Sequence, residues 1–185
     1  MSYTFFCRSS SPFSNWNQNG EKFELYGQYF NCAEQAMMWC KAWLFGDMNK
    51  AKEILASEYP KEQQALGREV EGFDETMWQA MRMQVVYMVL KAKFTQLSFY
   101  EKALLDTGDT IMVEASPDKT YGIGIAEAKA KMVPVNEWPG KNLMGKLMTK
   151  LKKEIFNDDL KDFELQDILD LGIEAKVKEQ VVVEK

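Results

Sequence analysis

The chain has 185 residues, of which 46% are hydrophobic, 12% aromatic and 28% charged, and its formal net charge is −5. This length and composition are typical of one folded globular domain and exclude a disordered or fibrous protein. The sequence contains no histidine, which excludes Ser-His-Asp and Cys-His nucleophile pairs, histidine-ligated zinc and histidine general-base catalysis. An enzyme of this sequence must move protons with carboxylates, lysine, tyrosine or the substrate itself.

The predicted elements begin in a stretch that alternates aromatic and polar residues and contains strand-like segments over residues 22–26 and 28–30. Two short strands are expected around the turn signal Asn19-Gly20. From Ala33 to Phe45 the period becomes helical, with Asn31 as the expected N-cap and Glu34 as its capping-box partner. Further helices are predicted over residues 49–57, 60–67, 74–96, 98–106 and 142–156, and a strand over residues 110–114. This order predicts a single α+β domain, mostly helical with a small β-sheet.

The charge is unevenly distributed along the chain. Residues 154–185 contain ten acidic and four basic residues, a net charge of −6, whereas residues 1–153 carry +1. We predict a domain over residues 1–156 and an acidic tail over residues 157–185, whose apolar residues predict one further helix before a frayed VVVEK end. The negative tail argues against strong non-specific binding to nucleic acid, while a near-neutral body can still bind phosphate locally.

Cysteine usage and the start of the sequence predict the compartment. Cys7, Cys32 and Cys40 form no CxxC pair and offer no fourth thiolate for structural zinc, so we expect three reduced, largely buried thiols. The opening MSYTFFCRSS lacks the basic and apolar regions of a signal peptide, and the run Val85–Leu90 is too short to span a bilayer. We therefore expect a cytoplasmic protein that does not bind membranes.

The first long helix contains a candidate catalytic pair. Glu34 and Lys41 are seven residues apart, or two helical turns, so both side chains lie on nearly the same face. A carboxylate and an amine in this arrangement can act as an electrostatic stabiliser and as a nucleophile or acid. Alternatively, Glu34 completes the capping box and Lys41 is an ordinary surface lysine. The spacing alone leaves both interpretations open.

Two other segments contain residue types that suit a nucleotide site. The glycines of the loop Glu114–Gly124 let the backbone approach a ligand, and successive N–H groups there can bind an anion. A plain turn is the alternative. In the stretch Arg8–Trp16, Arg8 can bind phosphate and Trp16 can stack on a planar ring. Aromatic residues beside a small sheet are, however, often part of the core.

Nine short motifs follow one another along the chain. They are SPFSNW (Ser11–Trp16), YFNCAEQAMMWCKA (Tyr29–Ala42), LGREV (Leu66–Val70), Trp78, KF (Lys93-Phe94), TG (Thr107-Gly108), Glu114, DKTYGIG (Asp118–Gly124) and NLMGKLM (Asn142–Met148). Each is weak by itself, but together and in this order they resemble the NADAR, or YbiA-like, family of N-glycosidases. The resemblance extends from about Phe5 to Phe156 and leaves out the tail.

The resemblance implies a YbiA-like α+β fold and the cleavage of N-glycosidic bonds to ribose. It implies one of two substrate classes: ADP-ribose attached to guanine bases, or the ribosylamino-pyrimidine intermediates of riboflavin synthesis. The expected partner is therefore a nucleotide or an ADP-ribosylated substrate. We expect neither a metal nor another cofactor, and the oligomeric state stays open.

The resemblance also implies site residues. The candidate catalytic residues are Glu34, Lys41, Glu114 and Asp118. The candidate substrate-binding residues, with Arg8 added for its own chemistry, are Arg8, Asn15, Trp16, Arg68, Tyr121, Gly122 and Asn142. The sequence departs from the family pattern at three places: Tyr121 replaces the usual tryptophan, TKLKK stands where an arginine is common, and Gln35 stands where relatives often have histidine.

Two mechanisms are compatible with these residues. Breaking an N-glycosidic bond builds positive charge on the ribose, which Glu34, with Glu114 or Asp118, can stabilise. Alternatively, Lys41 attacks the anomeric carbon and forms a Schiff base, which requires a lowered lysine pKa. Two other function classes stay open: a module that binds ADP-ribose or NAD-like ligands without cleaving them, and a vestigial body whose tail docks a partner.

Overall fold

The structure, a computed structural model, describes residues 2–183, and within them the chain forms four short strands and eight α-helices. The strands are β1 (Tyr3–Phe6), β2 (Phe23–Leu25), β3 (Gln28–Phe30) and β4 (Ile111–Glu114). The helices are α1 (Ala33–Leu44), α2 (Met48–Ala56), α3 (Pro60–Arg68), α4 (Glu75–Gln96), α5 (Ser98–Leu105), α6 (Glu127–Ala130), α7 (Leu143–Asn157) and α8 (Leu165–Val183). The predicted α+β class, mostly helical with little sheet, is confirmed.

Two compact units make up these residues. Unit 1 contains the chain through Asn17 together with Lys93–Leu160, and unit 2 contains Gln18–Ala92 together with the residues from Lys161 onward. Helix α4 therefore contributes most of its length to unit 2 and its last turn to unit 1. The predicted boundary between a domain ending at residue 156 and a tail beginning at residue 157 stays a prediction.

Unit 1 contains a parallel pair of strands that is covered by a helix. Strand β1 pairs with β4, with Phe6 opposite Glu114 at the end of the ladder. Helix α7 packs against β4 at Gly145, where an added Cβ would overlap the carbonyl oxygen of Met112. The sequence did not indicate β1, because its partner strand lies far along the chain and neither strand exceeds four residues.

Unit 2 contains a β-hairpin, β2–β3, whose turn is at Tyr26-Gly27. The predicted turn at Asn19-Gly20 was wrong, whereas the strand-like segments predicted over residues 22–26 and 28–30 contain β2 and β3. Tyr26 and Gly27 have φ values of 51° and 75°, the two positive angles that a two-residue type I′ hairpin turn requires. At Asn19, in contrast, the side chain accepts a hydrogen bond from the Glu21 N–H and forms only a local bend.

Helices α1, α2 and α3 pack together in unit 2, and Gln35 joins two of them. The side chain of Gln35, which is 2% exposed, accepts a bond from the Asn31 N–H and donates to the carbonyls of Ile54 and Ser57 at the end of α2. The N-cap of α1 is Cys32. The predicted capping box of Asn31 and Glu34 was therefore wrong, because Gln35 makes the backward bond that was assigned to Glu34.

The acidic C-terminal segment forms α8 within unit 2. Leu165 and Ile168 are buried, Gly172 packs against Met81, and Lys176 Nζ lies 2.7 Å from Asp74 Oδ2. The helix includes Val181–Val183 of the predicted frayed end, whereas Glu184 and Lys185 lie outside the described residues. None of the helices in residues 2–183 has the length and hydropathy that crossing a bilayer requires.

The expectation of largely buried thiols holds for two of the three cysteines. Cys32 and Cys40 are buried, and burial raises the pKa of Cys40 to about 12. Cys7 is exposed, which corrects the expectation for that residue, because it directly follows β1 at the surface of unit 1.

We expect Gly145→Ala to destabilise the protein by about 1–3 kcal/mol, because the new Cβ would push α7 away from β4. Urea unfolding followed by circular dichroism measures the change. The neighbouring substitution Lys146→Ala, at an exposed position of the same helix, is the control. Equal unfolding midpoints for the two variants would contradict the tight contact.

Candidate functional site

Lys41 is a half-buried amine held between α1, α3 and the start of α4. Its Nζ donates a hydrogen bond to the carbonyl oxygen of Gly67 at 2.6 Å. The same nitrogen lies 4.2 Å from the ring centroid of Phe73 and 5.9 Å from that of Trp78. Desolvation lowers the pKa of Lys41, while the negative charge of Glu75 acts in the opposite direction. Lys41 is therefore not an ordinary surface lysine.

Gly67 allows this contact because it has no side chain. A Cβ at Gly67 would overlap the thioether of Met38, which lies one turn before Lys41 on α1. The absence of that Cβ lets α3 approach α1 closely enough for the Gly67 carbonyl to reach Lys41 Nζ. The LGR motif thus positions Lys41 through its glycine.

Glu34 lies in the first turn of α1 and is 6% exposed. Two helical turns separate it from Lys41, or about 10 Å along the axis. Arg68 is exposed and donates to Gln64 Oε1 at 3.0 Å. It lines a surface cleft together with Tyr59 and Lys61. Unit 2 therefore places Glu34 and Lys41 along one helix and Arg68 on the outer side of α3.

In unit 1, Asn142 fixes the end of β4. Its side-chain oxygen accepts a bond from the Glu114 N–H at 3.0 Å, and its side-chain nitrogen donates to the Met112 carbonyl at 3.0 Å. The residue is 8% exposed and has a φ of 51°, in the left-handed region where asparagine is tolerated. Asn142 thus uses its amide to hold the strand that presents Glu114.

The loop Glu114–Gly124 folds back on itself through Asp118. Asp118 Oδ1 accepts hydrogen bonds from the backbone N–H groups of Thr120 and Tyr121. Gly122 is buried, and a Cβ there would lie 2.9 Å from the carbonyl oxygens of both Glu114 and Asp118. Only glycine fits this position, because the contacts are with backbone that cannot move aside.

The same loop caps α7. Carbonyl groups of the loop accept hydrogen bonds from the N–H groups of the residues that begin the helix: Lys119 from Lys141, Thr120 from Leu143, Tyr121 from Met144 and Gly122 from Asn142. The motifs DKTYGIG and NLMGKLM therefore form one structural assembly with Glu114 at its edge.

The SPFSNW segment of unit 1 is clamped by Lys93. This lysine is 1% exposed, and its Nζ donates to the carbonyls of Pro12 and Ser14 at 3.1 and 2.9 Å. The same nitrogen lies 4.2 Å from the ring centroid of Tyr100. Asn15 and Trp16, both partly buried, directly follow the clamped residues. Lys93 therefore sets the backbone from which these two side chains project.

The eleven predicted site residues divide between the units. Glu34, Lys41 and Arg68 belong to unit 2, and the other eight belong to unit 1. Sequence reasoning missed the positioning roles of four residues: Gln35, Gly67, Phe73 and Lys93. The signal for three of them was present, since Gln35, Gly67 and Lys93 are part of the YFNCAEQAMMWCKA, LGREV and KF motifs. Residues 2–183 contain no group of three or more cysteine or acidic side chains placed to hold a metal ion.

Comparisons with known proteins give a consistent result. The family model described as the NADAR domain matches residues 2–156. N-glycosidase R617 of Acanthamoeba polyphaga mimivirus is 42% identical over 137 residues, which cover 74% of this chain and 78% of that protein. The riboflavin biosynthesis protein PYRR of Zea mays is 31% identical over 108 residues, which cover 56% of this chain but only 16% of that protein.

A solved structure gives a similar fold. The NMR structure of the E. coli protein YbiA matches with a TM-score of 0.68 at 23% sequence identity, covering 88% of this chain and 90% of that one. At this identity the similarity concerns the fold alone.

We expect Lys41 to titrate below the ordinary lysine range, and Glu75→Gln to lower its pKa further, because the substitution removes a negative charge that stabilises the ammonium ion. Carbon-13 NMR of the lysine Cε signals, with Lys41→Arg to assign the resonance, measures both values. Glu71→Gln, another exposed carboxylate of unit 2, is the control. A Lys41 signal that titrates with the exposed lysines would contradict the desolvated amine.

We expect Lys93→Met to loosen the SPFSNW segment at a cost of about 1–3 kcal/mol, because it removes the Lys93 hydrogen bonds to the Pro12 and Ser14 carbonyls and leaves Ser14 with the Asn17 N–H alone. Hydrogen exchange with mass spectrometry should show faster exchange over residues 11–17 than in the native protein. Lys102→Met, at an exposed position of α5, should leave this segment unchanged. Unaltered exchange in Lys93→Met would rule out the clamp.

Proposed function

This chain belongs to the NADAR domain family, and from that premise we propose that it is an N-glycosidase that hydrolyses the bond between a base and C1′ of a ribose. The similarity to N-glycosidase R617 supports the reaction type. The observation that carries the proposal is the Lys41 amine, desolvated on the same helix as the buried carboxyl group of Glu34.

In the proposed reaction, the neutral amine of Lys41 attacks C1′ of the ribose. A bond forms between Nζ and C1′, the glycosidic C–N bond breaks, and the base leaves with a proton from a general acid. The sugar ring opens to give a Schiff base, and water adds to its carbon. The bond between Nζ and C1′ then breaks, which releases the free sugar and regenerates the Lys41 amine. The sequence of steps consumes one water and needs no oxidant or reductant.

The contacts of Lys41 suit this role. The carbonyl oxygen of Gly67 accepts a hydrogen bond from the amine, and this bond fixes the position of the nitrogen atom. The Phe73 and Trp78 rings exclude water from it and lower its pKa by desolvation, so that a larger fraction is neutral near pH 7. If the amine is instead protonated, Lys41 acts only through its positive charge and does not attack the sugar. In this carboxylate-only alternative, the acidic residues stabilise the positive charge of the transition state.

Glu34 and Glu114 are the proposed carboxylates of the reaction. For Glu34 this follows from its burial in α1, and for Glu114 from its position at the end of β4, where Asn142 holds its backbone. We propose positioning roles for Asn142 and Asp118, because their side chains already bond to backbone groups of the loop.

We propose that the remaining predicted residues contact the substrate. Trp16 and Tyr121 offer rings for stacking, Asn15 offers hydrogen bonds to a base, and Gly122 lets the backbone approach the ligand. Arg8 and Arg68 offer charge for phosphate. The substrate classes are ADP-ribosylated guanine and the ribosylamino-pyrimidines of riboflavin synthesis. Because the chain is similar to a protein named for riboflavin biosynthesis, the ribosylamino-pyrimidines are included among the substrates to be tested.

We expect Lys41→Ala to lower kcat at least about 100-fold on a cleaved substrate. Incubation with ADP-ribosylated guanosine and with a ribosylamino-pyrimidine phosphate, followed by chromatography, identifies the substrate. Borohydride added during turnover should reduce the Schiff base and leave a sugar adduct on Lys41, which mass spectrometry locates.

Lys41→Arg separates the two mechanisms. Arginine keeps the positive charge but cannot act as the amine nucleophile, so the Schiff-base route predicts an inactive variant without adduct. An active Lys41→Arg enzyme that gives no adduct would favour the carboxylate-only route, in which Glu34→Gln should lower kcat about 100- to 1,000-fold. Binding of these substrates without release of base or sugar would reject the enzyme and favour a ligand-binding module.

A further inference from the structure

The C-terminal segment of unit 2 lies outside the residues that the family model matches, which end at residue 156. It runs along α4 in the direction opposite to that helix. Its successive contacts each reach a position nearer the start of α4: Lys161 and Asp162 contact Lys91, Phe163 contacts Tyr87, Gly172 contacts Met81 and Lys176 contacts Asp74. Helix α8 therefore reaches the residue that directly precedes α4.

Asp74 joins α8 to the first turn of α4 through both oxygens of its carboxylate. Oδ1 accepts a hydrogen bond from the Met77 N–H at 2.9 Å, which caps α4, and Oδ2 accepts one from Lys176 Nζ at 2.7 Å. These two bonds, and that from Lys176 most, lower the pKa of Asp74, so the carboxylate stays charged at neutral pH. Because Lys176 bonds to the capping residue, it restricts the movement of the first turn of α4.

The residues next to Asp74 are the ones that surround the Lys41 amine. Phe73 directly precedes Asp74, and its ring centroid lies 4.2 Å from Lys41 Nζ. Trp78 donates its backbone N–H to the Asp74 carbonyl at 3.0 Å, and its ring centroid lies 5.9 Å from the same nitrogen. Glu75, which follows Asp74, supplies the negative charge that acts on the amine. A shift of this turn would therefore move two rings and one charge relative to Lys41.

Gly172 lets α8 approach α4 closely enough for this ion pair. An added Cβ at Gly172 would lie 2.7 Å from the sulfur atom of Met81, which is fully buried. Lys176 follows Gly172 by four residues, about one helical turn, so both lie on the face toward α4. Leu165 and Ile168, which are buried, continue this face toward the start of α8. The apolar contact sets the distance between the helices, and the ion pair sets which turn of α8 is opposite the start of α4.

We propose that α8 completes the surroundings of the Lys41 amine: Lys176, acting through Asp74, holds the first turn of α4 so that its two aromatic rings stay against the nitrogen atom. Lys176 and Gly172 are then positioning residues. The proposal rests on the proposed function, since it gives α8 a role in that reaction through Lys41. Loss of the contact should admit water to the amine and raise its pKa, which leaves less of it neutral near pH 7.

The test is the pKa of Lys41 in variants of the whole chain, measured by carbon-13 NMR of the lysine Cε signals. Lys176→Gln should raise this pKa so that the neutral fraction at pH 7 falls about threefold or more, and should speed hydrogen exchange over residues 73–78. Lys176→Arg keeps the charge and a donor to Asp74, and should keep both values close to native. Lys178→Gln removes an exposed lysine of α8 that pairs with Glu174, and should change neither.

A neutral substitution separates positioning from the loss of a positive charge, which by itself also raises the pKa of Lys41. The charged groups on the elements around Lys41 are Arg68, Asp74, Glu75 and Lys176. Gly172→Leu leaves all of them in place but pushes α8 away at Met81, and should raise the same pKa. Gln180→Leu, at an exposed position of the same helix, should have no effect.

Two results would overturn the role of α8. One is a native Lys41 pKa in Lys176→Gln. The other is a pKa that rises in Lys176→Gln but not in folded Gly172→Leu, since Lys176 would then act only through its charge. If Gly172→Leu does not fold, hydrogen exchange in Lys176→Gln decides, because faster exchange over residues 73–78 supports positioning and native exchange rejects it.

On a cleaved substrate, the pH profile gives a readout that a loss of stability alone would not move. On the Schiff-base route, kcat rises with pH through the pKa of Lys41, because only the neutral amine attacks. In Lys176→Gln this rise should move to higher pH, so that kcat is about threefold lower at pH 7 and recovers at high pH. Lys176→Arg should restore the native profile. A kcat that is lower at every pH, with an unmoved rise, would contradict positioning.

The proposal and the proposed function fail separately, because the NMR and hydrogen-exchange measurements need no turnover. If Lys41 responds to the α8 variants but no N-glycosidic bond is cleaved, α8 positions the amine and the enzyme is rejected. If such a bond is cleaved but Lys41 does not respond, the enzyme stands and the role of α8 is rejected.

Discussion

Ammonium groups that are partly or fully buried and donate to backbone carbonyls are the interaction on which both units depend. Lys41 holds the Gly67 carbonyl in unit 2, whereas in unit 1 Lys93 holds Pro12 and Ser14, and Lys152 holds the Thr110 carbonyl at 2.8 Å. Burying a charge is costly unless it is paired with good acceptors. These lysines recover that cost by donating hydrogen bonds to carbonyls at turns and helix ends.

One of these lysines differs from the other two in its surroundings. Lys93 is 1% exposed and Lys152 is 6% exposed, and each bonds to two oxygen atoms of the protein. Lys41 is only half-buried, and among the described residues its nitrogen has one oxygen acceptor and two aromatic neighbours. An amine that is desolvated but not saturated with hydrogen bonds can still react. This difference separates a lysine suited to chemistry from two that hold the backbone.

Sequence periodicity located the long helices to within a residue or two, because each has an apolar face that repeats every three or four residues. Periodicity failed where the tertiary structure determines which of two adjacent side chains makes a hydrogen bond. Gln35 and Glu34 are adjacent and both can make a capping bond, and only the carbonyls at the end of α2 decide that Gln35 is turned inward. The hairpin turn likewise lies at Tyr26-Gly27 and not at the predicted Asn19-Gly20, since pairing of Phe23 with Phe30 fixes the register of the hairpin.

The sequence by itself determined the residue inventory: without histidine, proton transfer must use carboxylates, lysine or tyrosine, and the ordered motifs indicated which of them to consider. Tertiary structure decided which members of that inventory are chemically distinctive. Desolvation lowers the pKa of Lys41, and the residues that surround its amine, Gly67, Phe73 and Trp78, lie 26 or more positions away along the chain. Asn142 became a positioning residue because β4 lies beside it. Desolvation and hydrogen bonding depend on spatial neighbours, and a linear motif does not specify those neighbours.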